Sequence, residues 1–237
     1  MGDFSTYSLE DFLLFAPRTY WRVLMLHNAA LWPLHLVAGA VGLGLIALIL
    51  RRPQAAPLWV GLGLAAAWAI TGWSFLQQRY VPINWAIAPV VPAVLLQAGL
   101  LLLAGLKTRV RDQWGLRFGG PDGLSWAGLG LAGFGLLYPA LTLMYGRPLS
   151  QAEAFALAPD PTALVTIGLL LCVRSPHLGV LLAVLLPVPL LWCLFSGLTL
   201  LAMGEAQAFV LFAAVILSLG LLCARLLLWA RPMGRGS

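Results

Sequence analysis

The chain has 237 residues, 61% of them hydrophobic and only 9% charged, with a formal net charge of +6. Soluble domains carry about 25% charged residues, so a water-solvated globule is excluded and lipid is the expected solvent for most of the surface. The positive charges fall between apolar runs and form no basic stripe, which argues against nucleic acid as a partner.

Residues 1–27 read as an amphipathic interfacial segment. Ser8 and Asp11 resemble a capping box, Leu9, Phe12, Leu13 and Phe15 supply a short apolar face, and Pro17 ends that turn. Arg18, Tyr20, Trp21 and Arg22 then suit the headgroup layer. Asp3, Glu10 and Asp11 stand where a secretory leader would be basic, so no cleaved signal peptide is expected. Residues 28–231 read as one transmembrane helical domain and 232–237 as a tail. The predicted fold class is all-α, a polytopic bundle of about seven spans: 28–50, 58–76, 82–106, 124–145, a short fifth at 162–173, 177–201 and 207–230. Ser150-Gln-Ala-Glu153 reads as a second capping box, predicting a short surface helix through Leu157.

With the N-terminus outside, Arg51, Arg52, Lys107, Arg109, Arg111, Arg117, Arg174, Arg231 and Arg235 fall on the inner side. Arg18, Arg22, Arg79 and Arg147 fall on the outer side, and Arg225, inside the last helix, is expected to snorkel to the inner interface. Nine against four predicts an N-out, C-in, multi-pass protein of a bacterial inner membrane, provided the fifth segment crosses. Small pairs at four-residue spacing, Ala40 with Gly44, Gly61 with Ala65 and Ala69, and Gly128 with Ala132, are expected at close helix interfaces. Cys172, Cys193 and Cys223 lie in apolar segments and are expected to be buried and unpaired.

The fifth segment is the most informative. Asp160 reads as its cap and Pro161 as its first helical residue, and Arg174 and Pro176 stop it. Twelve residues rise about 18 Å against a hydrocarbon core of about 30 Å, which puts the partly positive N-terminus inside the bundle. Polar and aromatic groups gather in the same outer halves: Asn28, Trp32 and His35 in the first span, Asn84 and Trp85 opening the third, Tyr138 in the fourth, Thr162 and Thr166 in the fifth. Pro33, Pro89, Pro92 and Pro139 predict kinks there. Two readings stand: ordinary interhelical hydrogen bonding, or an outward pocket that binds or passes a small solute. In the second, the fifth helix N-terminus attracts an anionic or strongly dipolar group, with Thr162, His35 and Asn84 as hydrogen-bond partners.

Catalytic and metal chemistry find little support. His27 and His35 lie about 12 Å apart along a helix axis and out of phase, and no metal or cofactor is expected. Lys107, in the inner loop, is the sole lysine, which excludes a retinal Schiff base in a span. No Gly-x-Ser-x-Gly, His-Glu-x-x-His or Walker pattern occurs. No acid pair is expected within the spans; Asp160 and Glu205 read as boundary caps.

Ser8-Leu-Glu-Asp-Phe12, His27-Asn-Ala-Ala-Leu-Trp-Pro33 and Pro161-Thr-Ala-Leu-Val-Thr-Ile-Gly168 resemble a family of bacterial multi-pass inner-membrane proteins of unassigned function. That family has an Asn-x-Ala-x-Trp-Pro type first helix and a Cys-Pro-Thr-Thr type start to a later one. Asp160 and Ala163 stand here where the resemblance implies the cysteine and the second threonine. The expected partners are the lipid bilayer, a small polar or anionic solute, and a membrane-complex partner or second copy of the chain. Solute binding, transport or sensing is the favoured function; an accessory or assembly subunit and an intramembrane enzyme are the alternatives.

Overall fold

The computed structural model describes residues 13–107 and 114–230. The expectations for Ser8, Leu9, Asp11, Phe12, Arg109, Arg111, Arg231 and Arg235 lie outside the described residues. The described chain forms ten α-helices: α1 Pro17–Leu31, α2 Leu34–Arg51, α3 Ala56–Ile70, α4 Val90–Lys107, α5 Gly123–Leu137, α6 Pro139–Met144, α7 Pro159–Leu170, α8 Leu178–Leu185, α9 Pro187–Ala202 and α10 Ala208–Ala230. Five helical stretches are long and apolar enough to cross a membrane: Leu34–Arg51, Ala56–Tyr80, Trp85–Lys107, Leu178–Ala202 and Ala208–Trp229. Gly123–Leu137 is a shorter apolar helix.

Prolines set most of the breaks. Pro17 starts α1 at a position that needs no N–H, and the helix stops at Leu31 just before Pro33, four residues past the expected end of the interfacial segment. Tyr20, Trp21, Leu24, His27 and Asn28 are its buried residues, spaced as one helical face. Pro139 divides the predicted fourth span into α5 and α6, and Pro187 divides the predicted sixth into α8 and α9. Pro189 also deprives the Leu185 carbonyl of its helical donor. Gln97 of α4 supplies the missing bond, its Nε2 donating to Leu185 O at 2.7 Å, which accounts for a buried glutamine in an apolar helix. Helix α3 continues from Thr71 to Tyr80 in π-helical winding, a feature with no sequence signal.

Helix α7 is the centre of the bundle, with all twelve residues buried. Its long neighbour α5 approaches backbone to backbone. A Cβ at Gly168 would lie 2.5 Å from Ala132 N and from Gly128 O, so α5 and α7 can meet only across these small residues. Gly61 and Gly105 do the same for α3 and α4, where a Cβ at Gly61 would stand 2.6 Å from Gly105 Cα. The Ala40–Gly44 pair faces outward instead: Ala40 is exposed and a Cβ at Gly44 would meet nothing within 4 Å. Ala69 and Cys223 are exposed as well, which corrects the expectation of burial at both.

Beyond Cys172, the chain that leaves α7 pairs with the loop before α5 through a Phe118–Val173 bridge and an Arg174 N–H to Arg117 O bond of 2.8 Å. Pro53, Gln54, Arg117 and Arg174 line one cavity at this end of the bundle. At the other end Trp21 donates to Glu205 and the Arg147 guanidinium lies 3.5 Å over the Trp21 ring. Arg225 does not snorkel. It donates to both Asp122 oxygens, to Ser125 Oγ and to Leu171 O, tying α10 to α5 and to the end of α7. Burial alone would push the Asp122 carboxyl up, but Ser125 and Arg225 outweigh it and hold the group well below the usual carboxylate range.

Candidate functional site

The segment before α7 holds the first surprise. Leu149–Gln151 make a short 3-10 turn, and the chain then runs extended and turned through Ala158 instead of forming a surface helix. Residues 152–158 are all buried. Helix α1 explains why. Asn28 Nδ2 donates to Ser150 O at 2.9 Å and Ala152 O at 2.8 Å, and His27 Nε2 donates to Leu157 O at 3.0 Å. The two Asn28 bonds take carbonyls that a surface helix would have used internally, and the His27 bond holds the far end, so α1 acts as a strap over the segment. Ala156 adopts φ 65, a left-handed conformation that costs a non-glycine residue about 1 kcal/mol or more. In return its N–H reaches Thr162 Oγ1 at 2.9 Å.

This strapped segment delivers two acids to the bundle interior. Ala158, not Asp160, is the cap of α7, and the Asp160 side chain caps nothing. Its Oδ1 accepts from Trp192 Nε1 at 2.7 Å, and its Oδ2 accepts from Ser196 Oγ at 2.8 Å and Tyr138 OH at 3.4 Å. Trp192 and Ser196 are four apart on α9 and therefore reach the same point. Glu153, expected as a capping-box partner, instead accepts Tyr20 OH on Oε1 at 2.7 Å, while its Oε2 is buried without a hydrogen-bond partner. The two carboxyls are 2% and 0% exposed, and the charge of Asp160 acts on Glu153. Glu153 lies outside the helices and Asp160 in the first turn of α7, so the pair does not fall within the expected spans, but the reading of Asp160 as a cap is corrected. Burial, reinforced by the Asp160 charge, pushes the Glu153 carboxyl well above the usual carboxylate range.

Tyr138, at the α5–α6 break, links this pair to the bundle end. Its hydroxyl accepts from Gln207 Nε2 at 2.9 Å, and Arg147 donates to Gln207 Oε1. Thr162 and Thr166 are satisfied within the bundle: Thr162 Oγ1 donates to Ala158 O at 2.7 Å, Thr166 Oγ1 donates to Thr162 O at 2.7 Å and accepts from Trp68 Nε1 of α3 at 2.9 Å. Asn84 is buried with its Oδ1 unpartnered, near Tyr80. Trp85 is 73% exposed.

On the opposite side of the strapped segment lies a cavity of about 610 Å³ that Asn28, Trp32 and His35 help to line. Leu36, Leu136, Pro139 and Phe155 make its walls largely apolar. His35 Nε2 is 3.1 Å from Asn28 Oδ1, an acceptor, so Nε2 carries the hydrogen and Nδ1 is left as a buried acceptor with no partner. Three of the eight expected site residues therefore meet at this cavity. Tyr138, Thr162 and Thr166 belong to the acid-bearing polar core, and Asn84 and Trp85 to the turn after α3. Sequence reasoning missed Glu153, Tyr20, Ser196, Gln207 and Arg147. One signal was present: Glu153 and Asp160 are the only charges in Ala152-Glu-Ala-Phe-Ala-Leu-Ala-Pro-Asp160, and an acid embedded in an apolar run is a candidate functional group.

Comparison with known proteins adds a family and no activity. A family model described as a family of unknown function (DUF6064) matches residues 18–231. No curated protein and no solved structure matches the chain.

Proposed function

We propose, from the premise that the chain belongs to that family of unknown function, that it is an inner-membrane protein whose outward cavity binds a small amphipathic solute for transport or sensing. The observation that carries this reading is the cavity of about 610 Å³ beside Asn28, Trp32 and His35, a volume in the range of small-molecule sites. Its apolar walls suit an apolar body, and the free His35 Nδ1 beside it suits one O–H or N–H donor. An anion is disfavoured at the α7 N-terminus, because Asp160 in its first turn and nearby Glu153 occupy that place with carboxyls.

In this reading seven membrane-embedded segments run with the N-terminus outside, α7 being the short fifth. Support comes from the α7 path, which starts beside the Tyr138–Arg147 end and finishes at the Arg117–Arg174 end. Single cysteines at positions 52 and 147, probed in intact cells with a membrane-impermeant thiol reagent, should label at 147 and stay silent at 52. The reverse pattern refutes the orientation.

Solute binding is tested with naphthol, an apolar ring with one O–H donor, by equilibrium dialysis against protein-containing and empty nanodiscs. Saturable binding is expected, weakened about tenfold or more by Gly39→Trp. Gly39 lines the cavity and a Cβ there meets nothing within 4 Å, so the indole fills the space without disturbing neighbours. Equal saturable binding by the variant sinks the site.

A further inference from the structure

We propose that Glu153 and Asp160 form a proton-binding site, in which two buried carboxyl groups hold a single exchangeable proton at the outer end of the bundle. The site stands whether or not the neighbouring cavity takes a solute. Its geometry assigns the two roles. Asp160 is surrounded by donors: Trp192 Nε1, Ser196 Oγ and Tyr138 OH together reach both oxygens, an arrangement that solvates an ionised carboxylate. Glu153 has one donor, Tyr20 OH, and its second oxygen is buried without any. A buried charged oxygen with no donor is costly, so this is the oxygen on which the carboxyl keeps its own hydrogen. Two buried carboxyls whose charges act on one another resist ionising together, so one proton stays with the pair and resides on Glu153.

The groups facing the pair fit this assignment. From α1 come Tyr20 and, on the Leu157 carbonyl between the two acids in sequence, His27. The π-wound end of α3 brings Tyr80, and α9 brings Cys193. None of these supplies a fixed positive charge. Arg147 acts on Glu153 from the bundle end, with its guanidinium engaged by Gln207 and the Trp21 ring. A single residual negative charge on the pair balances that one cation; two charges would exceed it. The route for exchange is the Tyr138–Gln207–Arg147 side, where the polar chain from Asp160 ends at half-buried Arg147.

The test is infrared spectroscopy of the full chain in nanodiscs, made separately with carboxyl-13C glutamate and with carboxyl-13C aspartate. At neutral pH the wild type should show a protonated-carboxyl C=O stretch that takes the isotope shift from labelled glutamate, moves in D2O, and is lost in Glu153→Gln. In Asp160→Asn the same band should vanish at lower pH than in the wild type, because the neighbouring charge that holds the proton on Glu153 is gone. Absence of a protonated band in the wild type overturns the proposal. So does a band carried by labelled aspartate alone, one unchanged by Glu153→Gln, or one that sodium abolishes, which would make the pair a monovalent-cation site. If Glu153→Gln fails to fold, glutamate labelling of a chain carrying Glu10→Gln and Glu205→Gln still decides, since Glu153 is then its sole glutamate.

Discussion

Asp160→Ala should destabilise the protein by roughly 3 kcal/mol or more, because it strips the acceptor from three buried donors at once. Trp192 Nε1, Ser196 Oγ and Tyr138 OH converge on this carboxylate from α9 and from the α5–α6 break, at a residue that is 0% exposed. Each buried donor left without a partner costs about 1–3 kcal/mol, and relief of the buried charge offsets only part of the sum. The loss should spread, since Tyr138 also anchors Gln207 and through it Arg147. Asp160→Asn keeps one carbonyl oxygen as acceptor and should lose clearly less. Denaturant unfolding in detergent micelles, followed by tryptophan emission, measures both. Equal stability of Asp160→Ala and wild type would mean that Asp160 is not the hub of the polar core.

The second large effect is a pair of opposed pH responses. Burial above all lowers His27 from 6.5 to about 4; Arg79 and His35 also lower it, while its bond to Leu157 works the other way. The unfolded chain therefore binds a proton at this residue between pH 6.5 and about 4 while the folded chain does not, and stability must fall as the pH falls through that window. At about 1.36 kcal/mol per pKa unit, the full effect is on the order of 3 kcal/mol. Glu153 has the opposite sign. Its folded carboxyl keeps a proton that the unfolded chain releases above the ordinary glutamate range, so its contribution is lost as the pH rises. In the wild type the two slopes cancel in part. Glu153→Gln should unmask the His27 response, with stability dropping steeply on acidification below pH 6.5. His27→Gln should unmask the other, with stability declining as pH rises. Parallel curves for the two variants would contradict both assignments.

How much of this was legible beforehand depends on the kind of interaction. Long apolar runs with few charges must form helices in lipid, since no other backbone can satisfy its own polar groups there, and the proline breaks at 33, 139 and 187 follow from a missing N–H. The brevity of α7 was equally readable, although it runs Pro159–Leu170 and so starts and ends three residues before the expected 162–173. Its complete burial was not: a helix of Ala, Leu, Val, Ile and Thr can face lipid or protein at similar cost. The same ambiguity explains why Gly128–Ala132 packs on α7 while Ala40–Gly44 faces outward.

The local patterns at Ser150–Glu153 and Asp160 misled for a related reason. A capping box and a cap are short-range alternatives worth about 1 kcal/mol each, and long-range bonds can outweigh them. Asn28 and His27 take the carbonyls of residues 150, 152 and 157, and Trp192 and Ser196 take the Asp160 carboxylate. What the linear order determined alone was helix content and the proline break points, both consequences of composition and backbone chemistry. Which polar groups meet, and that two buried acids rather than a bare helix end stand at the start of α7, was decided only by tertiary structure. Partners more than a hundred residues away, such as Tyr20 for Glu153, leave no mark on the residues around either one.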